Sequence, residues 1–521
     1  MARAALFAAG RTGERLDPVG QGFAGLRALA PVQRLPARHH RAASGSQGGQ
    51  ELIHFYWALP LGLTLFAAAA SANNASKQEG SLDPLLLEEV LATAEISYPL
   101  LLAALQEREM AQGKALSAEG AFDTKLSLKS EQNQFGYYKN RANGARVEQP
   151  LADWGGEVFG GYKRGQGNFG PWEQDILTLS RGEWSGGVRL PLLRNRETDE
   201  RRTDLLLARL SVELADASIE KQRLKLLETA AKSYWDWVSA GRKLEVAEAL
   251  LELAQARIRQ VEEAVAAGEV AAIEIVDNQR ALLERQAAVV AATRELQNAG
   301  FELSMLYRDA QGKPQVVGRE RLPEFPEPAA TPPEQVEEDL RIALERRPEI
   351  AGTLVEVRQS QAELGLARNQ LLPELDFTAQ YGRDAGDGSI TKRGSEFIAG
   401  VTLKSPFQRR KAKGAVAVQE AKLEQLDQKL TFARNRVEVE VRDSVSALDA
   451  ALQRLELARA ELDVSQRLAE AERERFELGD STLFVVNLRE LSAAGARLKV
   501  IGALADCHKA EAVYRAAAAL Y

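Results

Sequence analysis

Few side chains in this sequence are suited to catalysis or metal binding. Beyond residue 72 the chain holds one cysteine and one histidine, the neighbours Cys507 and His508. A thiol beside an imidazole can serve as a nucleophile with its base, but the pair cannot supply the four ligands of a structural zinc site. A lone cysteine more often behaves as a small buried hydrophobe. We therefore predict no catalytic residue, no metal site and no cofactor, and expect that the protein is not an enzyme.

The charge balance disfavours a nucleic-acid partner. The 521 residues carry a net charge of −7, and residues 1–72 hold seven arginines against three acidic residues. The rest of the chain is therefore at −11. An acidic body repels phosphate backbones, so we expect no binding to nucleic acid.

Residues 1–72 are expected to be a leader and signal segment. The apolar run from Ile53 to Ala70 is followed by Ser71 and Ala72, which is the small-residue pattern of a cleavage site. A retained membrane anchor is the alternative, although the run is short and Pro60 interrupts it. Residues 1–50 indicate either a start site assigned too early or an extended leader.

The rest of the chain is predicted to hold two tandem copies of one unit, residues 85–313 and 334–521. Pro99 and Pro348 occupy matching positions where a helix can begin, because the first turn needs no proline N–H. Further matches follow in the same order: Gly187–Leu190 with Gly400–Leu403, Gly268-Glu269 with Gly479-Asp480, and Leu306–Arg308 with Val513–Arg515.

Each copy is predicted to run helix–strand–strand–helix, followed along the chain by a return helix. The β-hairpins are placed at 122–192 and 372–407, and the return helices at 270–307 and 482–519. Residues 314–333, with six prolines, form a connector that cannot be a continuous helix.

A period of two in hydrophobicity predicts strands with one apolar face. The alternating apolar residues of the second copy are Leu375, Phe377, Ala379, Tyr381, Phe397, Ala399, Val401 and Leu403. Such a face can contact lipid while the opposite face lines a lumen. Four strands per protomer cannot close a barrel, and open edges are costly in lipid. Three chains would supply a 12-stranded trimeric β-barrel.

The first hairpin region is less regular than the second. Its glycine-rich segment 139–181 either extends the barrel wall or forms an external loop. Its aromatic residues either form girdles at the membrane interfaces or build a soluble core under a loop. They are Tyr137, Tyr138, Trp154, Phe159, Tyr162, Phe169, Trp172 and Trp184.

Two long segments predict a coiled-coil-like helical tube. Residues 203–267 contain no proline and carry apolar residues at spacings of three, four and seven. Residues 415–478 repeat the pattern. Helices of this length reach roughly 100 Å. Gly268 and Gly479 follow these helices and predict tight reversals with a left-handed C-cap residue.

The sequence resembles the TolC-like outer-membrane efflux protein family over residues 85–521. Three motifs carry the resemblance: Ala367–Leu375 entering a strand, Arg475–Ser481 at a helix reversal, and Pro191–Arg194 followed by Asp199 and Arg201-Arg202. The resemblance implies a mainly α fold with a small β part, assembled as a homotrimer. It also implies a β-barrel in outer-membrane lipid, a helical barrel in the periplasm, a periplasmic adaptor protein and an inner-membrane pump as partners.

Site residues follow from the same resemblance. The tips expected to dock the adaptor are Ala267, Gly268, Glu269, Leu478, Gly479, Asp480 and Ser481. Glu269 and Asp480, repeated threefold, are candidates for acidic rings at the entrance, or else are solvated carboxylates at helix ends. The function implied is a passive exit duct for efflux or type I secretion. The alternative is a periplasmic coiled-coil adaptor or structural protein, which would carry one helical hairpin instead of two.

Overall fold

The computed structural model describes residues 83–521, so the predicted leader and signal segment lies outside the described residues. Long helices dominate this part of the chain, and a small antiparallel sheet lies between them in sequence. The helices are α1 (Leu87–Ser97), α2 (Pro99–Glu119), α3 (Glu200–Ala266), α4 (Ile273–Ser304), α5 (Pro333–Arg346), α6 (Pro348–Asn369), α7 (Arg410–Glu477) and α8 (Leu483–Ala517). The strands are β1 (Lys125–Asn133), β2 (Asn140–Pro150), β3 (Glu157–Gly167), β4 (Glu183–Pro191), β5 (Glu374–Asp384) and β6 (Ser395–Lys404). The expectation of a mainly α fold with a small β part is confirmed.

Helices α3 and α7 are the longest elements within residues 83–521. They contain 67 and 68 residues, which corresponds to about 100 Å each at the usual helical rise. Asp199 begins α3, where its side chain accepts a hydrogen bond from the Arg202 backbone N–H at 2.9 Å. Helices α4 and α8 pack on α3 and α7, so each long helix has a return partner.

Proline positions the shorter helices. Helices α2 and α6 begin at Pro99 and Pro348, and the residue before each proline is in extended backbone. Extended backbone is the conformation that proline imposes on its predecessor. Each short helix pair is therefore separated by a bend instead of continuing as one helix.

The sheet corrects the predicted strand number. All six strands pair in sequence order, β1-β2-β3-β4-β5-β6, and each pair is antiparallel. The region 122–192 therefore contains four strands instead of one hairpin, and residues 83–521 carry six strands instead of the four predicted. The segment 139–181 contributes β2 and β3 to the sheet and a connecting loop before β4.

The two extra strands escaped prediction because their apolar face is made of small or isolated residues. Ala145 and Val147 alternate with charged residues in β2, whereas Val158 and Gly160 in β3 are separated by Phe159 and followed by Gly161. Ala145, Val147, Val158, Gly160 and Tyr162 mark the period of two over only part of each strand. Backbone hydrogen bonding, which any residue type except proline can supply, sets the pairing.

The two largest clusters of buried residues lie in the helical body. The larger joins α1, α3 and α4 around Trp237, Leu303 and Val90. The other joins α5, α6, α7 and α8 around Val437, Val441 and Tyr514. Across residues 83–521, no helix has both the length and the apolar character needed to cross a membrane.

The connector 314–333 packs against the helices. Leu322 occupies the space beside Gly241, where a Cβ would come within 2.5 Å of the leucine side chain. Phe325 stacks on Trp235 with 5.7 Å between the ring centroids. Gly241 thus gives the connector a close approach to α3.

Candidate functional site: the sheet face and the helix tips

One face of the sheet carries an apolar band that crosses all six strands. The register places Leu126, Val147, Gly160, Gly186, Tyr381 and Phe397 in one row across the strands. The next row joins Val158, Val188, Ala379 and Ala399. Successive side chains of a strand point to opposite faces, so these rows lie on the same side of the sheet.

This apolar face is open to the surroundings within the described chain. Leu128 is 76% exposed, Trp184 is 65% exposed and Val401 is 61% exposed. A contiguous exposed apolar surface of this kind marks contact with a membrane or a partner. Tyr162, Trp184, Tyr381 and Phe397 lie toward the same ends of their strands, where aromatic side chains suit a membrane interface.

The opposite face is polar and carries ion pairs between strands. Arg189 lies 2.9 Å from Glu157, and Lys163 lies 2.9 Å from Glu183. The Arg146 guanidinium lies over the Phe159 ring, 4.3 Å from its centroid. A polar face of this kind suits contact with water.

The two edges of the sheet lie on β1 and β6. Within the described residues, β1 pairs only with β2 and β6 only with β5. Every residue of these two strands is exposed. Unpaired backbone groups along an edge favour pairing with another strand.

At the far ends of the long helices, Gly268 and Gly479 make the predicted reversals. Their φ angles are +80° and +85°, in the left-handed region that favours glycine. The N–H of Glu269 donates to the Ala264 carbonyl at 2.9 Å, and that of Asp480 donates to Arg475 at 2.8 Å. The left-handed C-caps are confirmed, and the two turns have the same geometry.

The structure brings part of the predicted tip set together. Glu269 and Ser481 line one cleft of about 490 Å³ between the two reversals. Ser481 donates to the buried Glu472 carboxylate. Leu478 is 79% exposed at the outer end. Ala267, Gly268, Gly479 and Asp480 are exposed beside the cleft.

A buried carboxylate near the tips was missed by sequence reasoning. Glu490 on α8 is 7% exposed and accepts from Arg257 of α3 at 2.6 and 3.0 Å and from Arg473 of α7 at 2.8 Å. Burial alone would raise the pKa of Glu490, but hydrogen bonds from the two guanidinium groups outweigh it and hold the pKa below its ordinary value. We call Arg257, Arg473 and Glu490 the tip clamp. The tip clamp links three helices. No local sequence pattern predicts it, because its members lie far apart in sequence.

The contacts of Cys507 and His508 are those of packed structural residues. Cys507 is fully buried, and burial raises the pKa of its thiol, which disfavours the reactive thiolate. His508 stacks on Trp235 at 4.2 Å, and its Nε2 lies 3.1 Å from the Pro326 carbonyl. Among residues 83–521 there is no group of three or more His, Cys, Asp or Glu side chains placed to hold a metal ion.

Comparison with known proteins agrees with this architecture. Residues 340–519 match the model of the outer membrane efflux protein family. The pyoverdine export outer membrane protein OpmQ of Pseudomonas aeruginosa is 25% identical over 270 residues, which are 50% of this chain and 54% of that protein. The chain therefore spans about half the length of this curated relative.

Solved structures share the fold. The Campylobacter jejuni CmeC outer membrane channel superposes with a TM-score of 0.56 at 16% identity, covering 83% of this chain and 85% of that one. The open state of the Neisseria gonorrhoeae MtrE outer membrane channel gives 0.57 at 15% identity, covering 83% and 88%. At this level of identity the likeness shows the fold alone.

Proposed function

We propose that this chain, a TolC-like member of the outer membrane efflux protein family, is one protomer of a trimeric exit duct. The protein is located in the outer membrane and extends into the periplasm. The duct is passive, and cargo passes through it across the periplasm and the outer membrane without catalysis. One relative is a pyoverdine export protein, and only the general role of export is extended from it to this chain.

The observation that carries the proposal is the six-stranded sheet with its apolar face and free edges. In lipid, every backbone N–H and C=O must find a partner, so the edges β1 and β6 cannot stay open. If β6 of one chain pairs with β1 of the next, three copies close a ring of eighteen strands. A barrel of this size encloses an aqueous channel.

The polar face then lines the lumen and the apolar face contacts lipid. The strands contain 9 to 11 residues, which is the length that a tilted transmembrane strand needs. The long helices begin directly after β4 and β6 and carry the duct into the periplasm.

The helix tips are the proposed contact with a periplasmic adaptor, which would link the duct to an inner-membrane pump. The cleft between the reversals is lined by Glu269, Val270 and Phe476, and Leu478 and Phe484 stand exposed beside it. Apolar side chains next to a cleft suit the packing of a partner helix. Glu269 and Asp480, repeated in three copies, would place acidic rings at the entrance.

Fractionation and channel recording test this proposal together. The full-length protein is expected to sediment with outer membranes and, after detergent extraction, to have the mass of three chains. In a planar lipid bilayer with potassium chloride it is expected to conduct. A water-soluble single chain without conductance would support the adaptor or structural alternative instead.

A further inference from the structure

Between β3 and β4 lies a loop that folds back onto the sheet. We call residues 168–182 the mouth loop. It lies at the end of the sheet opposite the helices, because β3 ends and β4 begins there. In the orientation given by the proposed function, on which this inference rests, that end is the outer mouth of the duct.

The mouth loop covers the polar face of β3. The polar-face positions of this strand are Glu157, Phe159, Gly161, Lys163 and Gly165. Lys163 donates from Nζ to the Asp175 carbonyl at 3.0 Å. A Cβ built on Gly165 would lie 2.0 Å from the Ile176 carbonyl oxygen. Residues 175 and 176 therefore stand over the side of the sheet that faces the lumen.

Hydrogen bonds hold the loop in this position. The backbone N–H of Thr178 donates to the Gly165 carbonyl at 3.1 Å, and the Gly165 N–H donates to the Thr178 hydroxyl at 3.2 Å. The backbone N–H of Leu179 donates to Asp384 at 3.1 Å. Thr178 and Leu179 are buried although they lie in a loop. The loop is thus fixed at its base and is not a free surface segment.

The second half of the chain supplies a contact on the other side. The backbone N–H of Ser180 donates to the Asp387 carbonyl, and that of Arg181 donates to Ala385, both at 2.9 Å. These residues belong to the turn between β5 and β6. The mouth loop therefore lies across the end of β4 from β3 to β5.

We propose that the mouth loop is the outer constriction of the duct and limits the size of what passes through it. Three copies would place three inward-folded loops around one lumen. Loops that fold into a wide barrel reduce its open cross-section without changing the wall. The loop carries two acidic residues, Glu173 and Asp175, against one basic residue, Arg181, so its net charge is −1.

Gly165 permits a point variant that displaces the loop without deleting it. Gly165→Val puts a branched side chain where the Ile176 carbonyl lies, so residues 175 and 176 must leave the polar face. Gly144→Val is the matched control. It lies on the polar face of β2 opposite Lys163, and the nearest atom to its Cβ is 3.5 Å away, an ordinary contact.

Single-channel conductance of the full-length trimer in potassium chloride is the measurement. Gly165→Val is expected to raise conductance, because displacing residues 175 and 176 from the polar face widens the mouth. Gly144→Val is expected to leave conductance unchanged. A second variant, with residues 171–177 replaced by a short glycine-serine link, is expected to match Gly165→Val, and it decides the matter if Gly165→Val fails to assemble.

The outcomes separate this inference from the proposed function. If the wild type conducts and the loop replacement has the same or a lower conductance, the mouth loop is not the constriction, and the duct itself stands. If Gly144→Val raises conductance as much as Gly165→Val, displacement of the loop is not the cause and the inference fails. If the wild type forms no channel, the proposed duct fails and the constriction with it.

Discussion

The two halves of the chain use the same helical frame but different amounts of sheet. The first half has four strands between α2 and α3, whereas the second has two between α6 and α7. The long helices differ by one residue in length, and both end at a glycine in the left-handed conformation. In each half the long helix packs on its return helix, and this packing constrains the helices. The sheet accepts an added hairpin, because a new antiparallel pair fits between β1 and β4 without reversing either strand.

A pair of tyrosines shows the same likeness at the level of single contacts. Tyr307 donates to Glu89 of α1 at 2.5 Å, and Tyr514 donates to Asp339 of α5. Asp339 is 2% exposed, while the Glu89 side chain is 41% exposed and also paired with Arg321. The interaction is shared by the two halves, but only the second half buries its carboxylate. The tyrosine contact is therefore common to both halves, whereas burial of the carboxylate is not.

The largest effect is expected on the face of the extra hairpin that is proposed to contact lipid. Val158 in β3 and Ala399 in β6 lie in one row of the apolar face. Arginine at either position should cost about 3 kcal/mol and sharply reduce the trimer in outer membranes, because both would place a charge in hydrocarbon. Thr402→Arg, on the polar face of β6, should be tolerated. If Val158→Arg assembled normally while Ala399→Arg did not, the extra hairpin would not be part of the barrel wall.

Next in size is the tip clamp, which brings α3 of the first half together with α7 and α8 of the second. Glu490→Gln removes the charge that both Arg257 and Arg473 face, and a cost of about 2 kcal/mol is expected. The thermal midpoint of the detergent-extracted trimer should fall. Glu461→Gln, which affects an exposed pair with Lys499, should change it little.

The same residue sets a dependence on pH. Because the folded-state pKa of Glu490 is lowered, its stabilising contribution is present above its ordinary pKa and is lost as the pH falls through the folded value. The wild type should therefore lose thermal stability on acidification more steeply than Glu490→Gln. If the thermal stability of the two proteins changed with pH in parallel, the tip clamp would not be coupled to protonation of Glu490.

A smaller and unequal effect is expected from the two tyrosines. Tyr514→Phe leaves the buried Asp339 with Gln335 as its remaining side-chain donor and should cost about 1.5 kcal/mol. Tyr307→Phe leaves Glu89 paired with Arg321 and should cost about 0.5 kcal/mol. Thermal denaturation of the two variants compares the copies directly. An equal loss would mean that burial of the carboxylate does not distinguish them.

The smallest effect should be the same in both halves. Gly268→Ala and Gly479→Ala each place a Cβ in left-handed backbone at about 1 kcal/mol. Neither turn has an atom within 4 Å of the added Cβ, so no clash adds to this cost. Outer-membrane insertion should be unchanged in both variants. A loss of insertion would mean that the tips are needed for assembly of the barrel. It would contradict a position of the tips remote from the barrel.

The helices and their reversals were predictable because each depends on neighbouring residues. Leucine-rich periodicity and the absence of proline define α3 and α7, and Gly268 and Gly479 mark their ends. The strands β5 and β6 were predictable because large apolar residues alternate in them. The strands β2 and β3 were not, since polar residues such as Asn143 and Arg164 interrupt the alternation on the same face. The tip clamp depends on three helices meeting in space, which no local pattern encodes.

Cross-linking of the sheet edges tests the central claim most directly. In a Cys507→Ala background, Leu128→Cys in β1 is combined in turn with cysteine at Phe397, Ala399 or Val401 of β6, all on the apolar face. If three six-stranded sheets close one barrel, oxidation in outer membranes will give a covalent trimer for at least one of these pairs. A disulfide within a single chain, or none for all three pairs, would contradict the account.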